Sequence, residues 1–114
     1  MRFGVLGPLA VWTDGGLQVP VPEPKVRTVL ALLAVHAGRP VPADQLVEAL
    51  WPGDLPGNPA NALQTKVSQL RRALGAAEPD GRGLVGHEAG GYVLAVGADD
   101  VDVARFEALV DRAA

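Results

Sequence analysis

Asn58-Pro59-Ala60-Asn61-Ala62-Leu63-Gln64-Thr65-Lys66-Val67-Ser68-Gln69-Leu70-Arg71-Arg72-Ala73-Leu74-Gly75 reads as one bounded helix. Asn58 suits the N-cap, because its side-chain oxygen accepts an otherwise unpaired N–H of the first turn. Pro59 fits the first helical position, where a missing N–H costs nothing, and Gly75 is expected to take the left-handed conformation that closes a helix. Leu63, Val67, Leu70 and Leu74 fall at i, i+4, i+7 and i+11, a narrow apolar stripe that must face a core. The opposite arc carries Asn61, Thr65, Ser68, Gln69 and Arg72, with Gln64, Lys66 and Arg71 on its flanks.

From Asn58 to Leu74 the cations are Lys66, Arg71 and Arg72, and there is no acid. An ordinary solvated helix mixes Glu with Lys to gain i,i+4 pairs. A helix that lies against phosphates and base edges excludes carboxylates and supplies Arg, Asn, Gln, Ser and Thr. The plainer alternative is a surface helix that happens to lack acids.

The length of 114 residues suits one domain with a real core. Aromatic residues are only 4%, so that core is built from Leu, Val and Ala. The net charge of −3 is unevenly placed. Residues 1–96 hold eight basic and eight acidic side chains, and the last eighteen residues hold five acids against two bases. The excess acidity therefore belongs to the tail segment. The absence of cysteine excludes disulfides and thiolate metal sites and suits a reducing compartment. The apolar start from Phe3 to Trp12 is too short for a membrane span, is broken by Gly4, Gly7 and Pro8, and lacks a signal-peptide pattern. The expectation is a soluble cytoplasmic protein with no membrane partner.

In chain order, Phe3–Leu6, Leu9–Thr13 and Leu17–Val21 read as short strands of an antiparallel sheet, with Asp14-Gly15-Gly16 as a hairpin turn. Pro24 opens a first helix that continues to about Ala37 and is stopped by Gly38 and Pro40. Lys25 and Arg27 sit in its first turn, where the macrodipole disfavours cations, so a phosphate partner is one explanation for them. A second helix spans about Pro42 to Leu50 and ends at Trp51-Pro52-Gly53. The connection Pro52–Gly57 is longer than the turn of a simple helix-turn-helix. After the Asn58–Gly75 helix, residues 76–83 read as a polar loop, and Leu84–His87 and Tyr92–Val96 as the arms of a hairpin around Glu88-Ala89-Gly90-Gly91. The order is sheet, three helices, hairpin: an α+β winged helix-turn-helix, in which the last helix enters a major groove and the hairpin reaches the neighbouring backbone or minor groove. Residues 1–97 form this domain. Residues 98–114 read as the start of a longer, truncated helical unit, with a new amphipathic helix over 101–113 after Asp99-Asp100.

Three features together resemble a known family: Pro24-Lys25-Val26-Arg27 opening a Leu-rich helix; Leu46 through Leu50-Trp51; and Val67-Ser68-Gln69-Leu70-Arg71-Arg72-Ala73-Leu74 followed by Gly90-Gly91-Tyr92-Val93-Leu94. The chain resembles the OmpR/PhoB-type winged-helix DNA-binding domain, in the version found in Streptomyces antibiotic regulatory proteins and AfsR-like activators. Val101 to Phe106 resembles the start of the bacterial transcriptional activation domain that follows in that family. The resemblance implies a transcriptional activator that binds direct repeats of double-stranded DNA as a head-to-tail dimer and recruits RNA polymerase. It implies that Asn58–Leu74 is the recognition helix; within it the residue types assign Gln64, Thr65, Ser68, Gln69 and Arg72 to positions at or near base edges and Lys66 and Arg71 to phosphates, with Asn61 on the same DNA-facing helix. Lys25, Arg27, His87, Gly91 and Tyr92 would touch DNA from the first helix and the wing, and Pro52, Gly53, Asp54, Leu55 and Pro56 would form the loop that touches polymerase. Ser68 and Gln69 stand where some relatives carry arginine, and His87-Glu88 where a Thr-Arg-like pair is common. No nucleophile–base pair, metal-ligand cluster or phosphate-cradling glycine loop appears, so no enzyme, metal or cofactor is expected. The competing class is a winged-helix protein-interaction module that has lost DNA binding.

Overall fold

The computed structural model describes residues 1–4, 9–97 and 100–101. Two short strands, β1 (Arg2–Gly4) and β2 (Ala10–Trp12), pair antiparallel, with Phe3 opposite Val11. Helix α1 (Pro24–Val35) and helix α2 (Ala43–Leu50) follow, separated by a two-residue strand, β3 (Val41–Pro42). Helix α3 (Pro59–Ala77) leads through a single 3₁₀ turn, Gly81–Leu84, into strands β4 (Val85–Glu88) and β5 (Gly91–Leu94). The second sheet has the order β3-β5-β4, all antiparallel, so β5 is its centre. This is the expected α+β winged-helix order.

The core is aliphatic and lies where the three helices meet the second sheet. Leu63, Val67, Leu70 and Leu74 of α3 are all buried and join Val29, Leu30 and Leu33 of α1, Leu46 and Leu50 of α2, and Val85 and Leu94 of the hairpin. Each such side chain contributes about 1.5–3 kcal/mol by leaving water. Val47 of α2 is half-buried at the edge of this core.

Several elements differ from their sequence reading. The expected third strand, Leu17–Val21, is reduced to a bridge of Gln18 to Trp12 and one bond from Val19 N–H to the Val11 carbonyl at 2.8 Å. Pro20 and Pro22 have no N–H to extend it, although Val19 and Val21 still bury their side chains. The first expected strand runs into Val5 and Leu6, which lie outside the described residues, as do 98–99 and residues 102–113 of the expected last helix; Val101, read as the start of that helix, instead forms a parallel bridge with Phe3 and is buried in the core. Helix α1 ends at Val35, and Gly38 turns the chain at φ +78° so that its N–H reaches the Leu94 carbonyl at 2.9 Å. Helix α3 does not stop at Gly75; it continues to Ala77. Gly75 is a helical residue against which the Arg82 side chain lies, leaving no room for a Cβ.

The hairpin turn is tight. Glu88 pairs with Gly91, and the two residues between them, Ala89 and Gly90, have φ of +52° and +76°. That pair of positive φ angles matches the right-handed twist of the strands. Gly91 has a different reason to be glycine: a Cβ there would collide with the Val41 carbonyl across the β3–β5 pairing. All four residues of β5 are buried, and β3 and β4 pair along its two edges. A left-handed conformation costs a residue such as Ala roughly 1–2 kcal/mol, a cost that Asn largely avoids. Ala89→Asn should therefore raise stability in urea-unfolding measurements by roughly 1 kcal/mol; an unchanged or lower midpoint would show that the turn is relaxed differently.

Candidate nucleic-acid interface

Helix α3 presents its polar arc on the outside. Asn61, Gln64, Thr65, Ser68 and Arg72 are all exposed, and the helix contains no acid. Asn58 caps it as expected, its Oδ1 accepting from the Asn61 N–H at 3.2 Å. The Thr65 hydroxyl donates back to the Asn61 carbonyl at 3.1 Å, which leaves its oxygen lone pairs facing outward as acceptors. Glu78, the first acid after the helix, is occupied: its Oε1 accepts from the Asp14 N–H at 2.9 Å.

The wing stands against one flank of this arc. Gln64, Ser68, Arg71, His87 and Tyr92 line a shallow cleft of about 180 Å³. Tyr92 is only 6% exposed and forms the cleft floor, with the exposed His87 ring tilted over it at a centroid distance of 4.9 Å. Arg71 fixes helix to wing, its Nε donating to the Val85 carbonyl at 2.9 Å. Its two terminal nitrogens make no hydrogen bond among the described residues.

Other expected contact residues have work inside the fold. Lys25 donates through Nζ to the Leu50 carbonyl at 3.1 Å and lies 5.9 Å from the centre of the Trp51 ring. A cation that is ill-placed at the start of its own helix thus sits at the C-terminus of α2, where the macrodipole favours it. Arg27 donates to the Val21 carbonyl at 3.1 Å and the Leu9 carbonyl at 2.9 Å, stapling the N-terminal segment to α1. Lys66 pairs with Glu23 at 3.1 Å. Gln69 turns away from the outer arc toward Val21, Pro22, Glu23, Val26 and Ala73, and its Oε1 is buried without a partner. Gly91 is buried between β3 and β4.

Glu23 is the hinge of this arrangement. Its carboxylate caps α1 by accepting from the Lys25 and Val26 N–H groups at 2.9 and 3.3 Å, and it also pairs with Lys66 of α3. Burial pushes its pKa up, but the Lys25 N–H, the Lys66 ammonium and the Val26 N–H outweigh this and hold it below the usual 4.5.

Between α2 and α3, Pro52, Gly53, Asp54, Leu55 and Pro56 form a projecting loop in which Leu55 is 61% exposed. Sequence reasoning missed Arg82, hidden in what looked like a loop. Arg82 is exposed at the C-terminal end of α3, with its aliphatic stem on Gly75. Among the described residues, neither Arg72 nor Arg82 has a carboxylate within 4.0 Å or a hydrogen bond from its side chain. The one signal in the sequence was Gly75, a helix-breaking residue between good helix formers.

Residues 20–94 match the family described as "Transcriptional regulatory protein, C terminal". The chain belongs to this OmpR/PhoB-type family. It is 40% identical over 108 residues to the transcriptional regulatory protein EmbR of Mycobacterium tuberculosis, covering 95% of this chain and 28% of EmbR. It is 38% identical over 116 residues to the regulatory protein AfsR of Streptomyces coelicolor, covering 99% of this chain and 11% of AfsR. To RedD, a transcriptional regulator of the same organism, it is 35% identical over 119 residues, covering 100% of this chain and 33% of RedD. A solved structure of M. tuberculosis EmbR, in complex with a low affinity phosphopeptide, superposes with a TM-score of 0.83 at 39% identity, over 94% of this chain and 28% of that one. These are regulators of the Streptomyces antibiotic regulatory protein type, as the resemblance implied. The chain spans about a third or less of the length of each of these relatives. No helix among the described residues is long and apolar enough to cross a membrane.

The Glu23–Lys66 tie has a measurable signature. Because its pKa is lowered in the folded state, Glu23 contributes stability that is complete above the ordinary value of 4.5 and is lost as the pH falls through the lowered one. Replacing Lys66 by methionine should lower stability at neutral pH and flatten the decline of the urea midpoint below about pH 4.5. An unchanged acid limb would mean that the pair is not formed in solution.

Proposed function

We propose that this chain is the DNA-reading domain of a transcriptional activator of the Streptomyces antibiotic regulatory protein type. Helix α3 enters the major groove and the β4–β5 wing meets the adjoining backbone or minor groove. The single observation that carries the reading is the exposed, acid-free arc of α3, which offers amides, hydroxyls and Arg72 beside a wing-lined cleft. Those groups match base edges in chemistry: Gln and Asn pair with adenine, Arg with guanine, and Ser and Thr with either.

Within this reading Asn61, Gln64, Thr65, Ser68 and Arg72 face the bases, and the terminal nitrogens of Arg71 hold a phosphate while its Nε secures the wing. His87 approaches the backbone from the wing. Lys66, Gln69, Lys25, Arg27, Gly91 and Tyr92 support this surface from behind, their side chains or backbone being engaged within the fold. Two copies bind direct repeats head to tail, and the loop Pro52–Pro56, with Leu55 projecting, meets RNA polymerase. Residues 98–114 begin the activation domain, the protein works in the cytoplasm, and the domain has no catalytic role.

The test is fluorescence anisotropy with a duplex carrying two spaced direct repeats against a shuffled duplex, across a range of salt. The expected result is tighter binding to the repeats that weakens steeply with salt, because phosphate contacts release counterions. Arg72→Ala should lose about 1–3 kcal/mol of the discrimination between the two duplexes. No binding to any duplex at low salt would overturn the reading in favour of a protein-docking module.

A further inference from the structure

A helix in one groove and a hairpin in the next leave one sugar–phosphate strand running between them. On the DNA-reading role proposed above, that strand follows the seam between helix and hairpin. In this chain the junction is built from the C-terminal third of α3, the Gly81–Leu84 turn and the first residue of β4, and Arg71 bonds across it to Val85.

Arg82 stands at this junction. Its stem lies flat on Gly75: a Cβ at that position would come within 2.3 Å of Arg82 Cγ and 3.0 Å of Cδ, so only glycine leaves the seat open. Gly75 is three residues from Arg72 and four from Arg71, so the Arg82 stem rests on the flank of α3 that carries both. The turn itself is pressed onto the helix, since a Cβ at Gly81 would collide with the Leu74 carbonyl. Two glycines thus hold a cation against the end of the helix, and the cation is exposed and unpaired among the described residues. Asp80 and Glu78 are the nearest acids in sequence, and neither lies within 4.0 Å of its guanidinium.

The geometry points to Arg82 as a clamp on the DNA phosphate that bridges the two grooves, with Gly75 as its seat. The inference rests on the DNA-reading role proposed above and adds a residue and a device to it. Arg82 carries no base information: it should strengthen repeat and shuffled duplexes alike.

The experiment uses the whole chain and the two duplexes. Arg82→Met keeps the stem and removes the charge. It should weaken both duplexes equally and lower the salt slope by about one, so that a fourfold rise in salt costs it about 3.5-fold less affinity than it costs the unaltered chain. Gly75→Ala should unseat Arg82 and give the same slope loss, with the helix preference of alanine offsetting part of the strain of displacing the stem. Combined with Arg82→Met, it should add no further loss. An unaltered chain that binds neither duplex overturns the DNA reading as a whole. Binding with the slope unchanged in Arg82→Met overturns the clamp alone, and a lowered melting temperature with an unchanged slope makes Arg82 only a packing residue.

Discussion

Burying one side of α3 is the constraint on which everything else rests. Leu63, Val67, Leu70 and Leu74 are within 1% of full burial; α1, α2 and the Gly81–Leu84 turn pack along α3, and the hairpin's Val85 and Leu94 belong to the same core. Truncating one such side chain in a core costs about 2–5 kcal/mol, a large share of what holds a small domain together. The helix is therefore fixed in rotation, and fixing its inner side fixes its outer side. The amides and hydroxyls of Asn61, Gln64, Thr65 and Ser68 face solvent because the leucines cannot. A core of aliphatic residues thus aims a polar surface that it never touches.

Charge is distributed on a second principle. Of the cations near this surface, Lys25, Arg27 and Lys66 are consumed by the fold, and Arg71 is half-consumed. The Glu23 carboxylate neutralises Lys66 locally, whereas Lys25 and Arg27 keep their charge but have their donors directed at carbonyls of the fold, so that they are not free to grip an anion directly. The small formal charge of residues 1–96 therefore understates how local the positive surface is: it narrows to the end of α3 and its junction with the wing.

Much of this was legible in the sequence, and the misses have physical causes. The three helices could be read because apolar spacing and Pro or Gly punctuation are local signals. The exposed arc of α3 followed from the same periodicity. Strand β3 could not be read, because two residues, Val41 and Pro42, carry no period and become a strand only by pairing with Tyr92 and Gly91. Gly75 was read as a terminator since a glycine at the end of a stripe usually is one, whereas here its meaning depends on Arg82, seven residues further on. The roles of Lys25, Arg27 and Lys66 likewise depend on Leu50, Leu9 and Glu23, partners that a helical wheel does not see. Periodicity places a residue on a side of a helix and says nothing about what waits there.

The β3–β5 pairing has a bearing on the wing. A hairpin joined to a domain only through its own ends would sample many orientations and would lose that freedom when held against a ligand. Here the returning strand is flanked on both edges, by β4 and by the residues linking α1 to α2, and Gly91 lets the backbones close on each other. The wing is in that sense set before anything is bound. It behaves as a fixed jaw opposite α3, and the width of the gap between them is a property of the folded domain.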